Sequence, residues 1–106
     1  MEMLLTGRRM DAVEAARWGL VNRVVEPAEL MRSARDLAAE IASAAPLATR
    51  AVKAIVGVTA DMSVEDGYRA LRQGRVPAYQ RALESEDANE GPRAFAEGRD
   101  PIWKGR

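Results

Sequence analysis

PAELMRSARDLAAEIASAAPLATRAVKAIVGVTA, residues 27–60, decides the architecture of this chain. Leu30, Ala34, Leu37, Ala38, Ile41 and Ala45 recur at the three-to-four spacing of one helix face. Pro27 suits the first helical position, where its fixed φ fits and its missing N–H would have no partner. The pattern predicts a long amphipathic helix running to about Ala44. Pro46 cannot continue that helix without deleting a backbone hydrogen bond, so it restarts the pattern. Leu47, Ala51, Val52, Ile55 and Val58 then share a face, with Arg50 and Lys53 off it, until the helix frays near Thr59 and Ala60. Two long helices in succession predict a mainly α chain.

Downstream, Asp61 or Ser63 caps a third helix, Ser63 with Asp66 three residues later having the form of a capping box, and its buried side is read as Val64, Tyr68, Leu71, Tyr79 and Leu83. Gly67, Gly74 and Pro77 weaken that helix, and a proline in a helix interior costs about 3 kcal/mol, so a kink or break is expected between Arg75 and Pro77. Asp87 with Glu90 is read as the cap of a last short helix through about Glu97, with Gly91 and Pro92 in its first turns. Gly98 and Asp100-Pro101 then release an extended tail.

Upstream, Glu2 to Leu5 reads as the last turn of a helix that stops at Thr6-Gly7, because glycine tolerates the left-handed conformation that ends helices. On that reading the chain begins inside an element. Asp11 and Glu14 form a second capping pair ahead of a two-turn helix with Val13, Ala16 and Leu20 on one side and a stop at Gly19. Leu20 to Val25 alternates weakly and is rich in β-branched residues, which predicts a short strand ended by Glu26-Pro27. A lone strand needs a partner from elsewhere.

Composition removes most catalytic devices. Lys plus Arg and Asp plus Glu number 16 each, so no net field draws in nucleic acid or an anionic membrane. There is no Cys, hence no disulfide, thiolate nucleophile or thiolate metal site, and no His, hence no Ser-His triad and no imidazole ligand. No apolar run approaches the about 20 residues that span a bilayer, and the first five residues are too short and acidic for a signal peptide. The expected setting is cytoplasmic, with no metal, no nucleic acid and no membrane among the partners.

What remains is weighed against plain structural roles. Glu84, Glu86, Asp87 and Glu90 crowd the turn at Ser85, and paired carboxylates can do acid/base work. Acidic residues in a first helical turn also satisfy free amides and the helix dipole, and that reading is preferred, so no catalytic residue is assigned. The glycines make neither GxGxxG nor GxxxxGK[ST], which removes the phosphate-loop folds. Arg8-Arg9 beside Gly7, and Arg99, Lys104 and Arg106 around Trp103, are small basic groups able to hold phosphate, with solvated surface as the simpler reading. Trp18 and Phe95 read as packing residues. Apolar stripes on two helices and an unpaired strand leave much to cover in a chain of 106 residues, which favours a homo-oligomer.

Two stretches carry a resemblance. Leu4 through Ala12, and Ala15 through Val25, resemble the segment that follows the active-site region in the enoyl-CoA hydratase/isomerase, or crotonase, family. Ala45-Pro46-Leu47-Ala48 resembles that family's restart into its next helix, and Ser85 to Arg106 is similar to the tail of its carnitinyl-CoA dehydratase (crotonobetainyl-CoA hydratase) branch. The resemblance implies the carboxyl-terminal helical region of a crotonase-like fold, with at most one short strand and without the amino-terminal ββα core. It further implies two parts: 1–26, the end of a helix, a short helix and a strand from the edge of the core, and 27–106, a helical region that builds oligomer contacts and covers acyl-CoA.

Family members stabilise a thioester enolate with two backbone amides and, in the hydratases, add glutamates that handle water and the α-proton. By the resemblance all of these belong to the amino-terminal core, so none of the glutamates here inherits a catalytic role. The implied parent reaction is reversible hydration of a 2-enoyl-CoA such as crotonobetainyl-CoA. No cofactor is expected beyond coenzyme A carried as substrate thioester, and the chain is expected to be inactive alone. Phe95, Trp103 and Lys104 are the implied CoA-binding residues, with Gly98 standing where relatives often carry Lys. The competing expectation is a non-catalytic helical oligomerisation module.

Overall fold

The structure is a computed structural model that describes residues 1–106. Its regular elements are all helical: α1 Glu2–Thr6, α2 Ala12–Arg17, a 3-10 turn Pro27–Glu29, α3 Leu30–Ala42, α4 Pro46–Thr59, α5 Val64–Arg72, α6 Pro77–Leu83 and α7 Glu86–Glu97. The chain divides into two compact units, Met1–Leu37 and Ala38–Arg106.

In the first unit the termination signals act as their residue types dictate. Gly7 closes α1 at φ 66° and returns its N–H to the Met3 carbonyl. The Asp11 carboxylate caps α2 by accepting from the Glu14 N–H at 2.8 Å. Arg8 joins the two helices, with Nε 2.5 Å from Glu2 and its two terminal nitrogens 2.6 and 3.0 Å from Glu14. Ala15 is the one buried residue of α2, while Trp18 is 70% exposed, so its expected packing role is not realised. The expected strand is not formed either. Leu20 to Val25 is irregular and exposed, because β-branched residues give an extended segment no ladder without a neighbouring strand.

In the second unit α4 packs mainly on α6, with α5 against α4 and α7 against α6. The core is small: Ala51 of α4, Ala70 of α5, Val76 at the start of α6 and Ala94 of α7 are buried. Three alanines and a valine at the centre let helix backbones approach closely, at the cost of little apolar area per residue. The break anticipated near Pro77 is complete. α5 ends at Arg72, Gly74 turns at φ 71°, and Pro77 occupies the first position of α6, where its missing N–H costs nothing. Gln80 Nε2 donates to the Leu71 carbonyl at 3.1 Å, tying α6 back to the end of α5.

That break re-aims the buried side read from sequence. Val64 (79%), Tyr68 (60%) and Leu83 (54%) are exposed, and α5 buries Gly67 and Ala70 instead. The stripe treated residues 63–83 as one helix, and two helices at different orientations do not share one face.

Candidate functional site

α7 and the tail after it form the most organised polar site of the second unit. Ser85, not Asp87, caps α7: its hydroxyl accepts from the Ala88 N–H at 3.2 Å and donates to the Ala82 carbonyl at 2.7 Å. Gly98 ends the helix at φ 66°, and its left-handed turn sends Arg99 to Arg106 back along the helix as an extended segment without regular structure.

An extended segment leaves its backbone N–H groups without partners unless something supplies acceptors. Asp87 and Glu90 supply them. Asp87, 5% exposed, accepts the Lys104 N–H on one oxygen and the Gly105 N–H on the other, both at 2.8 Å. Glu90, 7% exposed, accepts the Ile102 N–H at 2.8 Å and two nitrogens of Arg99 at 2.6 and 3.1 Å, and takes Arg93 at 2.7 Å. The Arg99 guanidinium, the Ile102 amide and Arg93 hold the Glu90 carboxyl far below the usual carboxylate range, and Glu90 with Glu97 holds Arg99 firmly protonated. The two carboxylates read as helix caps are therefore tail anchors. A cap reading considers only the amides of the helix that follows, whereas these side chains, three residues apart on one helix face, turn to amides 12 to 18 residues away.

The CoA-contact residues implied by the resemblance lie on this assembly in different states. Phe95 stands on α7 at 90% exposure with no packing partner to account for it. Trp103 is half-buried: its ring approaches Gly91, where a Cβ would meet the ring at 3.5 Å, and its Nε1–H donates to the Ser43 carbonyl at 2.8 Å just past α3. Lys104 is fixed through its backbone by Asp87, and its Nζ sits 2.5 Å from Glu86. Trp103 and Lys104 are thus brought together on the tail, while Phe95 is carried separately by the helix. Glu86 also meets Arg106 at 3.3 Å, and Lys104 first and Arg106 second lower its pKa.

Between the tail and α7 runs a cleft of about 370 Å³ lined by Glu86, Asp87, Asn89, Glu90, Arg93, Arg99, Ile102 and Lys104. Its acids are already engaged by cations and amides, which suits a binding surface better than proton transfer. The basic groups proposed for phosphate are also engaged: Arg8 by Glu2 and Glu14, Arg99 by Glu90 and Glu97. Lys104 and Arg106 share a single half-exposed partner, Glu86. No group of His, Cys, Asp and Glu is arranged to hold a metal ion, and no single helix is long and apolar enough to cross a membrane.

Comparison with known proteins accords with this helical arrangement. The family model for enoyl-CoA hydratase/isomerase matches residues 1–106. Carnitinyl-CoA dehydratase of Citrobacter koseri is 60% identical over 105 residues, which is 99% of this chain and 40% of that protein. The crystal structure of enoyl-CoA hydratase from Mycobacterium tuberculosis H37Rv superimposes with a TM-score of 0.85 at 35% identity, covering 100% of this chain and 40% of its own. Enoyl-CoA hydratase from Bacillus anthracis gives 0.84 at 35% identity, with 99% and 39% covered. The chain thus spans about 40% of the length of the relatives it matches. It belongs to the enoyl-CoA hydratase/isomerase family, as the helical carboxyl-terminal portion of that fold.

Proposed function

We propose that this chain serves an acyl-CoA hydratase as its CoA-covering and subunit-packing region, the reaction of the whole being reversible addition of water to a 2-enoyl-CoA of the crotonobetainyl type. The observation that carries the reading is the tail seated on α7. Two buried carboxylates fix its backbone while Trp103 is held at the Ser43 carbonyl and Lys104 and the exposed Phe95 remain at the surface. Such a strap offers an aromatic face and a cation to a ligand that pairs an adenine ring with phosphates. The 60% identity to a protein named carnitinyl-CoA dehydratase supports the choice of thioester.

The residues here bind and cover; they do not move protons. With no His and no Cys, and with Asp87 and Glu90 committed to amides and arginines, the chain holds no poised general base. Parts 1–26 and 27–106 then divide as an edge of the catalytic core and the helical cover. Titration calorimetry with crotonobetainyl-CoA is expected to show binding that weakens in Phe95→Ala and Lys104→Ala, with no hydration by the chain alone. Neither heat nor a thermal shift would remove the CoA-covering reading, and hydration at an enzyme-like rate would remove the non-catalytic one.

A second reading, a helical module that acts by self-association, is favoured by exposed apolar residues on α4, where Val52 and Val56 are 60% and 61% exposed. The two readings differ in what the surface meets and are compatible in one protein.

A further inference from the structure

Two cations of the tail converge on one carboxylate. Lys104 Nζ lies 2.5 Å from Glu86 Oε2 and Arg106 Nε lies 3.3 Å from Oε1, so each oxygen takes one cation. A backbone bond completes the set, the Glu86 N–H donating to the Arg106 carbonyl at 2.7 Å. The side chains of Glu86, Lys104 and Arg106 are 52%, 53% and 75% exposed, so an ion from solvent can reach all three. Arg93 and Arg99 face the same cleft but are drawn to the buried Glu90.

The place of Lys104 does not depend on Glu86. Its main chain is set by Asp87, through the Lys104 and Gly105 amides, and the tail before it is set by Glu90 through the Ile102 amide. Lys104 is therefore positioned at its backbone by buried groups and Arg106 at its carbonyl by the Glu86 amide, while the carboxylate between the two cations is a surface group held only by its ion pairs. A phosphate carries more oxygens and more charge than a carboxylate, so it can engage both cations and compete with the side chain already there.

We propose that Lys104 and Arg106 form a binding site for a phosphate or diphosphate group, and that Glu86 is its built-in competitor, occupying the cations until such a group displaces it. The proposal rests on the reading of the tail as the CoA-facing segment, and adds to it the residue that sets the affinity. An exposed ion pair of this kind shifts an equilibrium by about twofold to fivefold. Glu86→Gln, which keeps the shape and removes the charge, is expected to strengthen phosphate binding by that factor.

Calorimetric titration of the 106-residue chain and of Glu86→Gln with inorganic pyrophosphate, and separately with coenzyme A, at low ionic strength tests this. Amide exchange at Lys104 and Gly105 verifies that the tail stays seated in the variant. The expected result is pyrophosphate binding about twofold to fivefold tighter in Glu86→Gln, a gain that added salt diminishes and that Glu86→Gln/Lys104→Ala loses. Equal affinity in the two chains, a gain that persists without Lys104, or no pyrophosphate binding to either chain overturns the proposal. A pyrophosphate gain without any coenzyme A binding keeps the anion site and removes the CoA reading. Coenzyme A bound equally by both chains removes Glu86 as competitor and leaves the CoA reading standing.

Discussion

Asp87 and Glu90 illustrate how a residue's role is fixed by the segment it meets rather than by the segment it starts. Both stand where sequence logic puts helix caps, and the Ser85 turn ahead of them was legible as a helix start, but a partner 12 to 18 residues away leaves no local signature. The cue that was available is the tail itself, an extended run whose amides need acceptors and in which no strand pattern supplies them. Asp87→Ala should cost about 1–3 kcal/mol by leaving the Lys104 and Gly105 amides without their acceptor, and urea unfolding reads that loss directly. Faster exchange at those two amides locates it, and unchanged stability would remove Asp87 as an anchor. Glu90 adds a pH dependence. Its carboxyl titrates far below the ordinary glutamate value of about 4.5 in the folded chain, so the unfolded chain binds the proton first as pH falls. The stability it contributes is fully present above the unfolded value, and is lost from about 4.5 downward toward the folded value. The midpoint of urea unfolding in the wild-type chain should therefore drop on acidification below pH 4.5 more steeply than in Glu90→Gln, and parallel curves would contradict the assignment.

At the level of elements, helix starts and stops were legible and helix faces were not. Gly7, Asp11, Pro46, Ser63 and Gly98 each act as punctuation at the expected place, because capping is decided by a few adjacent backbone groups. The strand over Leu20 to Val25 failed for the opposite reason, since a strand is decided by its neighbour. Pro77 had both outcomes. Its disruption of the helix was foreseeable from its missing N–H, yet the new direction of α6 was not, and so Tyr68 and Val64 were assigned to a core that Val76 and Ala70 occupy. Val76, 1% exposed, is the largest fully buried side chain, and its truncation removes two carbons from the packing between α6 and its neighbours. Val76→Ala should cost about 2 kcal/mol, whereas Val64→Ala should stay within about 0.5 kcal/mol, since the one leaves a cavity and the other only trims surface. Chemical unfolding of the two variants side by side checks the reassignment, and a larger loss from Val64 would restore the single-helix reading.

For the molecule as a whole, the accessible surface is 8694 Å². Two separate compact bodies the size of the two units would expose about 7,000 Å² between them. The excess is of the size that obligate interfaces bury, and it is apolar in character, since Leu4, Leu5, Val56, Phe95 and Ile102 are each more than 60% exposed. Sequence made this partly legible: apolar stripes on two helices with too few residues to cover them require either further chain or further copies. The same arithmetic limits what the core can do, because four small or medium residues, Ala51, Ala70, Val76 and Ala94, bury little area against the entropy of ordering the chain. Self-association is the route open to the chain in isolation. Light scattering across a range of concentrations should therefore show mass rising above 11.6 kDa, with a hydrophobic dye bound at low concentration and released as the mass grows. Stability should rise with concentration in step, because association buries the surface that folding leaves open. A monodisperse monomer that binds no dye would mean that these apolar side chains are covered within one chain, and the case for a packing surface would fall with it.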